Sequence, residues 1–99
     1  MIDNVYFLGI GGIGMSALAR YYKNAGAKVA GYDLTPSSLT GQLESEGIGV
    51  HFTDDPALIP EPFRKDPDKT LVIYTPAVPP EHKELQWLRD NGFNVIKRS

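Results

Sequence analysis

The stretch Phe7-Leu8-Gly9-Ile10-Gly11-Gly12-Ile13-Gly14-Met15-Ser16 places four glycines in ten positions, directly after an apolar run. Ordered glycine costs backbone entropy, so four of them together need a reason. The spacing Gly9-x-Gly11-x-x-Gly14 is that of the turn joining a first strand to a first helix in phosphate-binding α/β folds. In such a turn the first glycine permits the sharp exit from the strand. The second keeps a Cβ away from an approaching phosphate, and the third lets the helix pack close to the sheet. The helix then offers free N–H groups and a partial positive charge to an anion. On this reading Gly9, Gly11, Gly12 and Gly14 line a diphosphate. Met15 lies in the first helical turn, and Ser16 Oγ supplies a further donor to a phosphate oxygen.

Working outward, the chain alternates strands with helices. Residues 4–9 form a buried first strand, and Ala17, Leu18, Tyr21, Tyr22 and Ala25 recur at helical spacing up to Gly26. Residues 28–33 are a second strand. Thr35 before Pro36 predicts the N-cap of a helix that ends at Gly47. Residues 49–52 predict a short third strand. The proline- and charge-rich segment 53–69 predicts a solvated loop with one helical turn near Ala57 to Ile59. The β-branched run 70–75 is the strongest strand signal, a helix follows over 81–91, and 93–97 form a fifth strand. Gly26, Gly47 and Gly92 each stand where a helix hands over to a strand, with two linking residues before a buried valine, Val29, Val50 or Val95. The pattern predicts one Rossmann-like, doubly wound α/β domain with five parallel strands in the order 3-2-1-4-5.

Asp33 ends the second strand, nineteen residues beyond Gly14, where a carboxylate accepts hydrogen bonds from both hydroxyls of a ribose. Thr75 and Ala77, at the end of strand 4, border the switch point at which ligands of open α/β sheets bind. These residues fit a ribose diphosphate. They do not distinguish NAD from a UDP-sugar, since both carry a diol beside a pyrophosphate. His82 reads as a surface residue opening the last helix, Trp87 as packing, and Asp54-Asp55 as a solvated pair without chemistry.

Composition removes several classes of function. With ten basic and twelve acidic residues the net charge is −2, which speaks against nucleic acid as a partner. Cysteine is absent, so there is no disulfide or thiolate chemistry. The two histidines lack matched carboxylate spacing, so no metal site is expected. No apolar run approaches the ~20 residues that span a bilayer, and the N-terminus lacks a signal-peptide pattern. A cytoplasmic protein without membrane insertion is expected.

Gly9-Ile-Gly-Gly-Ile-Gly-Met-Ser-Ala-Leu-Ala19 resembles the N-terminal motif of the Mur ligase family. Gly31-Tyr-Asp33 resembles the family's second-strand end, and Tyr74-Thr-Pro-Ala-Val-Pro-Pro-Glu-His-Lys-Glu-Leu85 its fourth-strand segment. The resemblance covers essentially the whole chain, up to Ile96-Lys-Arg-Ser99, while the proline-rich stretch 60–69 departs from the pattern. It implies a first domain, residues 1–99, that holds the UDP part of UDP-N-acetylmuramate, with His51 contacting the nucleoside. It implies further domains that bind ATP, Mg²⁺ and L-alanine, so that the muramoyl carboxylate is activated as an acyl phosphate and attacked by the amine. The chain has no G-x-x-x-x-G-K-[ST] segment, so it is expected to bind substrate as part of a longer ligase and to contribute no catalytic residue. A ligase that recycles muramoyl tripeptide is a close variant. The alternative from another class is an NAD-binding regulatory domain of the potassium-transport type, motivated by the same glycines and Asp33.

Overall fold

Every residue of the first strand, β1 (Asn4–Leu8), is buried. A strand covered on both faces must be central, and β1 lies between β2 (Lys28–Tyr32) and β4 (Thr70–Tyr74), parallel to both. The edges are β3 (Gly49–His51) beside β2 and β5 (Asn94–Lys97) beside β4. The computed structural model, which describes residues 2–98, thus has five parallel strands in the order β3-β2-β1-β4-β5, as the alternation predicts. In register, Leu8 stands between Tyr32 and Tyr74, so three strands end level at the carboxyl edge.

Alternation along β1 divides the core. Val5 and Phe7 face one layer with Ile10, Met15, Ala19, Leu43 and Ile48, under α1 (Ile13–Asn24) and α2 (Ser38–Ser45). Tyr6 and Leu8 face the other, with Leu85 and Leu88 of α4 (Lys83–Asp90). Side chains of period two in a strand must do this, and each large one buried contributes about 1.5–3 kcal/mol.

Three details differ from the sequence reading. Helix α1 buries Met15, Ser16 and Ala19, leaving Tyr21 65% exposed, so its inner face is rotated from the one the tyrosines suggest. Helix α2 starts later than Thr35-Pro36 predicts: Ser37 is its N-cap, in a reciprocal capping box with Thr40. The segment 53–69 is a covering layer as well as a loop. It holds 3-10 turns at Pro56–Leu58 and Pro67–Lys69 around a short α3 (Glu61–Arg64), and Ile59 and Phe63 are buried against the Tyr6 side of the sheet. Its prolines start the turns, while two apolar side chains do the work of a crossover helix.

Gly26, Gly47 and Gly92 all have positive φ, between 80° and 100°. Each closes a helix in the left-handed region that glycine enters without a Cβ penalty, which explains the repeated junction.

Candidate functional site

At the carboxyl edge of the sheet, a cleft of about 590 Å³ opens between the β1–α1 turn and the segment after β4. Gly9, Gly12, Asp33, Thr75, Ala77 and His82 are among its lining residues. Its size falls within the roughly 300–1,000 Å³ usual for small-ligand sites. A second cleft, of about 680 Å³, lies at the opposite edge beside Asp3, Tyr22, Gly26 and Lys69. There α1 presents its carboxyl end, which repels anions, so the glycine-lined cleft is the candidate for a phosphate ligand.

The turn is laced to its neighbours by backbone. The amides of Gly9 and Ile10 both donate to the Tyr32 carbonyl, at 2.8 and 3.0 Å, and the Asp33 amide donates to the His51 carbonyl at 3.1 Å. Gly9 leaves the strand at φ +93°, and a Cβ there would overlap the Thr75 methyl. Glycine is required at this position twice over, by conformation and by the close approach of β4's exit. Gly12 is the N-cap of α1 with extended backbone, and a Cβ there would meet only ordinary contacts.

Helix α1 begins with unused donors. The Ser16 amide donates to the Gly12 carbonyl at 2.7 Å, whereas the amides of Ile13, Gly14 and Met15 have no acceptor among the described residues. No acidic side chain occupies the first turn. Three adjacent N–H groups therefore face outward from the positive end of a twelve-residue helix.

The structure assigns several side chains differently from the sequence reading. A Cβ on Gly11 would press on the Asp33 carboxylate and the Thr40 methyl, each 3.0 Å away, so the close approach there comes from within the chain. Asp33 Oδ1 accepts from the Gly11 amide at 2.9 Å and Oδ2 from the Thr35 amide at 3.2 Å. Two backbone donors thus fix the carboxylate at the cleft, and a carboxylate has lone pairs to spare for a diol. The Met15 side chain is in the core, leaving only its amide at the turn. Ser16 is buried, and its Oγ donates to the Ile13 carbonyl at 2.9 Å, so the hydroxyl is spent inside the helix. A serine in a first helical turn commonly bonds back in this way.

His51 does not line the cleft. Its Nε2 lies 2.6 Å from Glu84 Oε2 and 3.3 Å from Tyr6 Oη. Glu84, wholly buried, also accepts from Tyr6 Oη at 2.5 Å and from the Asp55 amide at 3.2 Å. Burial, with the Glu84 charge beside it, holds the Tyr6 phenol well above its ordinary pKa. This network ties β1, β3 and α4 together behind the site.

Sequence reasoning missed the Asp54–His82 pair. Asp54 accepts from the amides of Lys83 and Glu84, at 2.8 and 2.9 Å, and so anchors the start of α4. His82, expected at the surface, is 6% exposed and packs edge-on to Tyr32 with ring centroids 4.7 Å apart. Its Nδ1 is 3.2 Å from Asp54 Oδ1 and 3.4 Å from the Leu85 amide. Burial lowers its pKa, opposed by the charges of Asp54 and Glu84. Asp54 lies twenty-nine residues before the first residue of α4, a separation that only the fold closes.

Fold and turn together define a Rossmann-like α/β domain with an open anion-type turn at its carboxyl edge. The profile described as "Mur ligase family, catalytic domain" matches residues 4–99, and the chain belongs to the Mur ligase family. It is 58% identical over 98 residues to the UDP-N-acetylmuramate--L-alanine ligase of Porphyromonas gingivalis, covering 99% of this chain and 21% of that protein. It is 56% identical to the ligase of that name from Cytophaga hutchinsonii, with the same coverage. The chain therefore spans about a fifth of the length of these relatives. Among solved structures, UDP-N-acetylmuramate-alanine ligase MurC from Thermotoga maritima superposes with a TM-score of 0.83 at 30% identity, covering 96% of this chain and 20% of that one. The UDP-N-acetylmuramate:L-alanyl-gamma-D-glutamyl-meso-diaminopimelate ligase from Neisseria meningitides gives 0.81 at 26% identity, over 98% and 29%. No helix among the described residues is long and apolar enough to cross a membrane.

Proposed function

We propose that this chain binds the uridine diphosphate portion of UDP-N-acetylmuramate, as the substrate-holding domain of an ATP-dependent ligase that joins L-alanine to it. The observation that carries the reading is the trio of unused amides at Ile13, Gly14 and Met15, opening beside a carboxylate fixed by Gly11 and Thr35. Backbone N–H groups at a helix start hold phosphate oxygens without needing a cationic loop. Asp33 then accepts from the ribose hydroxyls, and the apolar flank of the cleft, formed by Leu34, Val78 and Pro79, receives the base. Gly9, Gly11 and Gly14 each leave room for another part of the chain at the turn, and Gly12 adds no side chain to its mouth. Thr75 and Ala77 form the wall along which the sugar leaves. Of the predicted contacts, the side chains of Met15, Ser16 and His51 have no part in this arrangement.

ATP and Mg²⁺ do not fit these residues. The sequence has no lysine-bearing phosphate loop, and no group of three His, Cys, Asp or Glu side chains able to hold a metal occurs among the described residues. The activation and amide-forming steps belong to the rest of the ligase. Within the proposed reaction this domain positions the substrate by holding its nucleoside diphosphate.

Calorimetric titration with UDP-N-acetylmuramate, UDP and NAD in parallel tests the proposal. Binding of both uridine ligands without NAD binding is expected. NAD binding alone would mean that the turn serves a dinucleotide, and the proposal would fail.

A further inference from the structure

The motif assigns Gly14 to the close approach of α1 to the sheet, but a different group stands over it. A Cβ at residue 14 would overlap Cζ, Nη1 and Nη2 of Arg98 at once. Three atoms of one planar group cannot all crowd a single point unless the plane lies across it. The Arg98 guanidinium therefore rests on the Gly14 Cα, over the first turn of α1. Only glycine leaves that space.

The backbone holds Arg98 at this edge. Its amide donates to the Tyr74 carbonyl at 2.9 Å, just past the end of β5, level with the glycine turn. The side chain is exposed, and it has no carboxylate or carbonyl partner among the described residues. The other arginines differ: Arg20 pairs with Glu46, Arg64 reaches the Ala57 carbonyl and Arg89 the Tyr74 hydroxyl.

A cation at the positive end of a helix, above three N–H groups that also lack acceptors, is electrostatically unfavourable as it stands. One anion between them satisfies all of these groups together. A guanidinium suits the task, because its flat face tolerates contact with a glycine while its edge donates two parallel hydrogen bonds to a phosphate. We propose that Arg98 is a diphosphate-binding residue that closes the glycine turn from the β5 side. This deepens the function proposed above and rests on it: the turn supplies neutral donors, and Arg98 supplies the positive charge that the turn lacks.

The test is calorimetric titration of the chain with UDP, uridine and inorganic pyrophosphate, comparing wild type with Arg98→Gln, Arg98→Lys and Gly14→Ala. Arg98→Gln is expected to weaken UDP and pyrophosphate by roughly 10–100-fold, the range for a lost charge-assisted hydrogen bond, and to leave uridine unchanged. Arg98→Lys should restore part of the loss. Gly14→Ala should reproduce it by displacing the guanidinium. In thermal melts without ligand, Arg98→Gln should be at least as stable as wild type, since it removes a cation from the positive helix end; a purely structural arginine would behave oppositely. If wild type binds UDP and Arg98→Gln binds it equally well, the Arg98 proposal is overturned while the uridine diphosphate reading stands. Equal loss of uridine and UDP in Arg98→Gln also overturns it. If wild type binds neither UDP nor uridine, both readings fall.

Discussion

The Gly11 amide donates to Asp33 Oδ1 across 2.9 Å, joining the glycine turn to the end of the second strand. The same carboxylate accepts from Thr35 on its other oxygen. Asp33 is thus held by two backbone donors before any ligand arrives, and a preorganised acceptor loses little freedom on binding. Asp33→Asn keeps one oxygen for Gly11 but cannot accept freely from two hydroxyls. We expect UDP affinity to fall roughly tenfold with a stability change within about 1 kcal/mol. The preference for UDP over its 2′-deoxy counterpart should shrink in the variant. Parallel calorimetry and urea denaturation check this, and an unchanged preference would show that Asp33 does not meet the ribose.

Gly9 faces two separate obstacles to substitution: its φ of +93° and the Thr75 methyl. Gly9→Ala should cost about 1–3 kcal/mol from conformation alone, with the overlap added to it. Thr75→Ser removes the methyl while keeping the hydroxyl. In the double variant the steric part should be recovered and the conformational part should remain. A double-mutant cycle in denaturant measures the difference. Strict additivity would mean that the two residues do not press on each other.

Glu84 collects Tyr6, His51 and the Asp55 amide at a point without solvent. Removing the hub leaves several buried partners unsatisfied, whereas removing one spoke leaves few. Glu84→Ala should therefore destabilise by roughly 3–5 kcal/mol and Tyr6→Phe by about 1–3. Equal costs would contradict the hub arrangement. Tyr6 adds a signature in alkali. Its pKa is raised in the fold, so its contribution is fully present below the ordinary value of 10.0 and is lost as pH rises above that. Absorbance titration should show this phenol ionising only as the chain unfolds.

His82 titrates in the opposite sense. Burial lowers its pKa from the ordinary 6.5. Below pH 6.5 the unfolded chain takes up the proton more readily than the folded one, so stability falls as the solution is acidified through that value towards the lower folded pKa. His82→Asn retains a capping acceptor at the start of α4 without a titratable ring, and should flatten the part of the stability profile that lies on the acid side of about pH 6.5. An unchanged slope would place the titrating group elsewhere.

Local chemistry made much of this fold legible. A helix-to-strand handover needs positive φ, so Gly26, Gly47 and Gly92 mark junctions in any context. An uninterrupted apolar run such as Tyr6-Phe7-Leu8 is read correctly as a strand buried on both faces. What escaped was set by tertiary contact. Tyr21 looks as apolar as Met15 in a helical repeat, yet Met15 is buried and Tyr21 is 65% exposed. His51 and Asp54 lie 30 or more residues from their partner Glu84, and meet it only when β3 and the start of α4 are side by side. Gly14 was read from its motif, but the group it accommodates comes from position 98. Ser16 fits the motif equally well, and only the observed bond to Ile13 shows where its proton goes.

The free amides at the start of α1 are the groups proposed to hold a diphosphate, and amide chemical shifts report on them directly. In a ¹⁵N-labelled chain titrated with UDP, the largest shifts are expected at Ile13, Gly14 and Met15, with smaller ones at Gly11 and Thr35 and none around Tyr22 and Lys69 at the opposite edge. Saturating shifts confined to that opposite edge, with the three α1 amides unmoved, would contradict that proposal.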